Sequence, residues 1–178
     1  MGRPRFATRL SLKPTTGETS PLGRKYPSRP IVGVGAFIFR GSGEEVLVVR
    51  RGTPPGAGAW SVPGGAVEIG EHLEDALHRE IGEETGLRIK ILETAAVLDR
   101  IHPDAFGRVQ YHCVLIDYLC AHVSGKPAAH SDIVDARWAK VRDLEALEMT
   151  EWTLEHLRKA SERFREIKSG AAAPPAIG

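Results

Sequence analysis

The chain has 178 residues, 42% hydrophobic and 26% charged, enough for one domain with its own core and too little for two full ones. It contains no run of about 18 apolar residues, which excludes a helical membrane span, and its basic N-terminus lacks the apolar segment of a secretory signal. The net charge of +1 is unevenly spread: residues 1–30 carry seven Arg or Lys against a single acid, Glu18, so the remainder is net acidic. A basic stretch can contact an anionic ligand or nucleic acid. Here its Pro, Ser, Thr and Gly content reads instead as an extended, partly disordered arm, and nucleic acid is not the expected partner.

In chain order, Ile31 to Arg40 (IVGVGAFIFR) reads as a strand, Gly41-Ser42-Gly43 as a turn and Glu45 to Arg50 as the returning strand of a hairpin. Gly33-Val34-Gly35 lacks the third glycine and following helix of a dinucleotide fingerprint, so that reading is rejected. Residues 52–59 form a loop, Trp60 to Val62 a short strand and Pro63-Gly64-Gly65 a sharp turn. A helix is predicted over 71–85, with Leu73, Leu77 and Ile81 recurring every four residues beside Ala76. Gly86 stands where a left-handed C-cap belongs.

Strands are then expected over 88–98, 108–119 and 136–139, the last two separated by Ser124-Gly125-Lys126-Pro127. Cys113 and Cys120 fall at odd spacing, on opposite faces of one strand, and so cannot pair. Two buried thiols suit a cytoplasmic protein. A final helix spans 151–168, with Thr150 as N-cap and Leu154, Leu157, Phe164 and Ile167 facing inward. Residues 169–178 form a tail. Strands interleaved with a mid-chain and a terminal helix predict a mixed sheet between helical layers.

The mid-chain helix carries the chemistry. On a wheel of about 100° per residue with Leu73 at the origin, Leu77 falls at about 40° and Ile81 at about 80°. Glu84 falls at about 20°, Glu80 at about 340° and Glu83 at about 280°. The second half of the helix thus places carboxylates on or beside the stripe that is apolar in the first half. Like charges at these spacings repel even in water, and burial raises the cost steeply. A hard divalent cation resolves the conflict, because it takes several oxygen ligands at once. A solvated acidic helix end with an Arg79–Glu83 pair is the alternative on the wheel alone.

The flanking spacing favours the cation. Gly65 is followed after five residues by Glu71, and after seven more by Arg79-Glu80-Ile81-Gly82-Glu83-Glu84-Thr85-Gly86-Leu87. This resembles the signature of the Nudix hydrolase family, Gx5Ex7REUxEExGU with U aliphatic, at each of its nine specified positions. The Pro-Gly-Gly turn, the entry at Trp60 and the Ala136-Arg137-Trp138 segment are also similar to the family, so the resemblance covers 31–168 and leaves out the arm at 1–30 and the tail at 169–178.

The resemblance implies an α/β/α sandwich whose loop–helix–loop binds Mg²⁺ or Mn²⁺. By position it implies Glu80 and Glu84 as metal ligands, Glu83 as a third, the Gly65 carbonyl as a further oxygen, and Arg79 as the residue that orients the carboxylates. Glu71 is implied to be structural or outer to the ligands. Glu80, Glu83 and the distal Asp132, with Asp135 as its rival, are candidates for the base that takes a proton from the attacking water.

Tyr26-Pro27-Ser28-Arg29-Pro30 leading into Ile31, together with Arg50 to Gly56, is similar to a bacterial branch called ADP-ribose pyrophosphatase-like, which implies cleavage of ADP-ribose to AMP and ribose 5-phosphate. Trp60, Phe106, Tyr111 and His112 are candidates to contact a base, with packing as the alternative for each. Arg50, Arg51, Arg100 and Arg108 are candidates to pair with phosphates. A (d)NTP pyrophosphohydrolase of housecleaning type and a non-catalytic nucleotide sensor are the competing functions. The complete acidic set, and the lack of a DNA-binding-sized segment after the last helix, speak against the sensor. A homodimer is the default assembly. Gly82 lies at a position the signature leaves open, where glycine costs about 1 kcal/mol against alanine. A close backbone approach is the reading that would give it a purpose.

Overall fold

The computed structural model of the chain describes residues 25–54 and 56–171. Most of the arm at 1–30 and most of the tail at 169–178 lie outside these residues. Seven strands form one mixed sheet: β1 (Ile31–Arg40), β2 (Glu45–Arg51), β3 (Trp60–Ser61), β4 (Gly64–Ala66), β5 (Arg88–Pro103), β6 (Val109–Ser124) and β7 (Ile133–Lys140). Helix α1 (Leu73–Thr85) and helix α2 (Glu151–Ser169) cover it, with a short 3-10 helix, Val141–Ala146, leading into α2.

Alternation along β1 builds both cores. Val34, Ala36 and Ile38 pack with Leu77 and Ile81 of α1, whereas Phe37 and Phe39 pack with Leu157 and Phe164 of α2. Strand β1 is buried on both faces, which accounts for its near-continuous apolar sequence. This is the layered arrangement expected from the sequence, an α/β/α sandwich. Among the described residues no helix is long and apolar enough to cross a membrane.

One departure from regular pairing positions the site. Strands β1 and β2 are in register only at Phe39↔Val46 and Arg40↔Glu45, and then part. The segment from Trp60 to Ala66 fills the opening: β3 pairs with β2 at Val49↔Ser61, and β4 pairs with β1 at Val34↔Gly65 and Gly35↔Gly64. The sharp turn expected at Pro63-Gly64-Gly65 is therefore partly strand. Gly64 makes this possible: its φ is 147°, and a Cβ there would lie 2.1 Å from the Val34 carbonyl oxygen. On its other edge β1 pairs in parallel with β6, from Ile31↔Cys113 to Phe39↔Ala121.

Several expectations shift. Helix α1 begins at Leu73, which is 37% exposed rather than part of the buried stripe. Glu71 thus precedes the helix. Strands β5 and β6 run to Pro103 and from Val109, a longer hairpin than expected. Cys120 is a buried thiol, but Cys113 is only half-buried. At α2 the N-cap is as expected, the Thr153 N–H donating to Thr150 Oγ1 at 3.2 Å. Leu157 and Phe164 are buried, and Leu154 and Ile167 partly so. Gly82 meets no close backbone: no heavy atom lies within 4 Å of where its Cβ would stand.

Candidate active site

The site grows from the C-terminal half of α1. Packing of Leu77 and Ile81 on the sheet turns the next position of the same stripe, Glu84, inward, where it is 4% exposed. Its carboxylate accepts one backbone hydrogen bond, from Gly64 N–H at 2.9 Å. Burial pushes its pKa up to about 8; the Gly64 N–H opposes this, and the charges of Asp132 and Glu80 add to it. Glu80 lies against the same turn, its carboxylate so close over Gly65 that a Cβ there would come within 2.2 Å of the carboxyl carbon. A glycine at 65 is what lets the Glu80 side chain lie against the strand.

Arg79 organises the entrance. Its Nε and Nη2 donate to the two carboxylate oxygens of Glu71 at 2.8 and 2.9 Å. Nη2 also reaches the Ala66 carbonyl, and Nη1 reaches Glu80 at 2.9 Å and Glu83 at 3.4 Å. The guanidinium holds the Glu71 carboxyl well below its ordinary range, at about 2, helped by the Glu68 N–H. Glu71 thus clamps Arg79 and ties the loop to the helix. Glu83 is more open, its side chain 58% exposed.

Asp132 arrives from across the helix end. The segment after β6 caps α1: Ala128 N–H donates to the Thr85 carbonyl and His130 N–H to the Glu84 carbonyl, pairing carbonyls a helix end leaves unpaired. Ser131 then takes a left-handed φ of 58°, and Asp132 follows, held by Thr53 Oγ1 at 3.2 Å. There it is close enough to hydrogen-bond Glu84 and raise its pKa. Asp135 lies instead on β7, opposite Arg50 in register.

Glu84, Glu80 and Asp132 thus approach one another, and among the described residues a single backbone N–H, that of Gly64, donates to the Glu84 carboxylate. This donor set fits a hard divalent cation, which would relieve the mutual repulsion and favour the ionised form of Glu84. Among the described residues no three His, Cys, Asp or Glu groups already stand at ligand spacing; one oxygen of Glu80 is turned to Arg79.

The expected substrate contacts are dispersed. Trp60 belongs to the core on the α2 side, 9% exposed, with the Arg137 guanidinium 4.3 Å from its ring centroid. That packing leaves it little surface for stacking on a base. Arg50 Nε donates to the Gly58 carbonyl and shapes the 52–59 loop, and Arg51, half-buried, ends β2. Phe106 is 85% exposed at the tip of the β5–β6 hairpin, where Arg108 pairs with Asp104 and packs on Tyr26. Tyr111 and His112 lie on the same outer stretch of β6, before its pairing with β1 begins. Arg100 lies on the α2 side, its guanidinium 4.0 Å from the Trp152 ring centroid. It faces Asp117, a buried acid that the sequence reading passed over although it stands alone among apolar neighbours in Val114-Leu115-Ile116-Asp117-Tyr118-Leu119.

Comparison with known proteins agrees with this geometry. Residues 29–160 match the family described as NUDIX domain. The chain is 32% identical over 114 residues to Nudix hydrolase 6 of Arabidopsis thaliana, a match covering 63% of this chain and 40% of that protein. It is 31% identical over 118 residues to an ADP-ribose pyrophosphatase of Methanocaldococcus jannaschii, covering 66% of each. The chain therefore spans less than two thirds of the length of these curated relatives. A MutT NUDIX hydrolase from Burkholderia pseudomallei superposes with a TM-score of 0.62 at 33% identity, covering 73% of this chain and 97% of that one.

Proposed function

The chain belongs to the Nudix family, and from that premise we propose that it is a divalent-cation-dependent hydrolase of the pyrophosphate in a nucleoside diphosphate linked to another group, with ADP-ribose as substrate and AMP and ribose 5-phosphate as products. The observation that carries this reading is the buried Glu84, set among the acids Glu80 and Asp132, with the Gly64 N–H as the one backbone donor to its carboxylate among the described residues. Such a group makes structural sense beside a cation and is costly without one. The choice of ADP-ribose draws on the similarity to the archaeal pyrophosphatase and on the segments around Tyr26 and Arg50.

In this reading Glu84 and Glu80, with the Gly65 carbonyl and Glu83, hold Mg²⁺ or Mn²⁺. When bound, the cation neutralises phosphate oxygens and acidifies the attacking water. Arg79, fixed by Glu71, keeps Glu80 and Glu83 oriented toward the site. Asp132 takes the proton of the attacking water. Its side-chain hydrogen-bond donor among the described residues is the Thr53 hydroxyl, whereas Glu80 and Glu83 both accept from the Arg79 guanidinium.

A panel of ADP-ribose, NADH, dinucleoside polyphosphates and dNTPs with Mg²⁺, its products separated by chromatography, tests the proposal. AMP and ribose 5-phosphate from ADP-ribose are expected, with turnover lowered by orders of magnitude in Glu80→Gln, Glu84→Gln and Asp132→Asn. Preferential release of pyrophosphate from dNTPs would replace ADP-ribose as the substrate, and full activity of Glu84→Gln would overturn the site.

A further inference from the structure

The β5–β6 hairpin has no part in that chemistry, and its outer edge is open. Among the described residues β5 pairs on one side only, with β6. An open edge is a template for another strand, and folds guard such edges with bulges. Strand β5 has register shifts near its start, at Ile91/Glu93 and Thr94/Ala96, but from Val97 to His102 its pairing with β6 is regular. This unguarded stretch shows apolar surface: Val97 is 67% exposed and Ile101 39%.

The tip of the hairpin holds a larger apolar group out in water. Asp104 Oδ1 accepts from the N–H groups of Phe106 and Arg108, each at 2.9 Å, and Oδ2 accepts from Arg108 Nε at 2.7 Å and the Tyr26 hydroxyl at 3.1 Å. Gly107 completes the turn with a φ of 75°. The backbone there is fixed, yet Phe106 is 85% exposed. An aromatic side chain carried on a fixed turn loses little freedom on contact, as suits an interface anchor. Toward the other end of the hairpin, on the α2 side, lies a cavity of about 220 Å³, walled by Phe37, Ala95, Ala96, Leu119 and Ala160 and by polar groups of α2. Its one acid, Glu93, is already held by Arg163 at 2.8 Å. An apolar cavity of about 150 Å³ takes a benzene ring, so this one has room for a phenylalanine side chain.

We propose that this edge is the interface with a second copy of the chain, the two β5 strands pairing antiparallel about a two-fold axis at Ile101, with Phe106 of each copy entering the cavity of the other. Register links the features. An axis at Ile101 sets that residue opposite its own counterpart, Arg100 opposite His102, and Asp99 opposite Pro103, which has no N–H and ends the ladder. Residues directly opposite share a face, so the two exposed Ile101 side chains meet. Continued past Pro103, the same register carries the tip of one copy to Ala96 of the other, in the wall of its cavity. One axis thus covers the open edge and brings each exposed aromatic to an apolar recess. The contact is isologous and closes at two copies, so the edge does not template a fibre. It goes beyond the hydrolase reading and does not depend on the substrate.

The test combines sedimentation equilibrium of the intact chain with oxidative cross-linking. The unmodified protein is expected to be a dimer, and Phe106→Ala to weaken dimerisation at least ten-fold. Opposed residues of an antiparallel pair have Cα atoms about 4.5–5.5 Å apart, within disulfide range. Ile101→Cys is therefore expected to cross-link to itself under mild oxidation. Val97→Cys, off the axis, and the unmodified chain with Cys113 and Cys120 are expected not to. A monomer at every concentration up to several hundred micromolar overturns the proposal without any variant. A dimer in which Ile101→Cys does not cross-link, or Val97→Cys does so equally, uses another face or register and overturns it too. A dimer of unchanged affinity in Phe106→Ala removes the tip from the interface and overturns the exchange. Each result reads the same whether or not the chain hydrolyses any nucleotide of the panel.

Discussion

Glu84 and Asp117 are equally buried, each 4% exposed, on opposite sides of the Gly35–Gly64 pairing, and both carboxyls are held above their ordinary range. Their neighbours differ in sign. Around Glu84 the charges are acidic, Asp132 and Glu80, and they push its pKa up to about 8 together with burial. Around Asp117 they are basic, Arg100 and His156, and they pull against burial, leaving it at about 6. Burial alone therefore does not define what such a group is for. An acid buried among acids calls for a cation; an acid buried beside an arginine has part of the cost of its charge offset within the fold.

The comparison breaks first at Gly65. Gly65→Ala places a methyl where the Glu80 carboxylate lies. Because the obstructed atoms are the end of a side chain, the fold is expected to survive while hydrolysis falls about 100-fold, the scale of a 1 Å misplacement. Steady-state kinetics beside a urea unfolding curve measures both, and unchanged turnover would remove Glu80 from the site.

The second test concerns protons. With its pKa at about 8, Glu84 is mostly protonated at pH 7 before a cation binds, so binding should release a proton and tighten as pH rises toward 8. Calorimetric titration of Mg²⁺ in buffers of different ionisation enthalpy reads that proton directly. The dependence on buffer is expected to vanish in Glu84→Gln.

Asp117 gives a smaller effect in stability. Its folded pKa of about 6 exceeds the ordinary 3.8, so the native state holds this proton more tightly than the unfolded chain. The associated stability is complete below about pH 4 and is lost as pH rises through 6. Unfolding free energies of Asp117→Asn and the unmodified protein should therefore shift relative to each other, in favour of the variant, between pH 4 and pH 7.5, by up to about 3 kcal/mol for a two-unit difference. A constant offset across that range contradicts a raised Asp117.

The smallest expected change is at Gly82. It is exposed inside α1, and a Cβ there meets nothing. Gly82→Ala should stabilise the protein by up to about 1 kcal/mol in thermal or urea unfolding, with hydrolysis intact. A loss of activity would give this glycine a role that packing does not.

What could be read from the sequence was local. The α1 stripe turned Glu84 inward as the wheel required, because Leu77, Ile81 and Glu84 share a face whatever the helix packs on. Gly86 and Thr150 mark the helix ends because capping depends on residues within a turn. What the sequence did not reveal was set by distant partners. Glu71 looked helical by periodicity, but its bonds to Arg79 keep it in the preceding loop. Pro63-Gly64-Gly65 carries turn residues, yet the opening between β1 and β2 recruits the two glycines as strand. Trp60 offered an aromatic surface whose position in the α2-side core, under Arg137, depends on the whole sheet. Asp117 left one signal, a single acid in an apolar strand, and its neighbours Arg100 and His156 come from β5 and α2, far away in sequence.

The parallel pairing of β1 with β6 bears on how the chain acquires its structure. Ile31 waits for Cys113 and Phe39 for Ala121, so on a ribosome the apolar strand at the centre of the sheet emerges some eighty residues before the edge that will cover it. The β5–β6 hairpin, built from neighbours in sequence, can zip within its own segment and then dock as a unit; closure of β1 against it is the high-entropy step. Folding should accordingly be slow for a domain of this size, and chains halted before about residue 121 should expose β1 as a sticky edge for chaperones or aggregation.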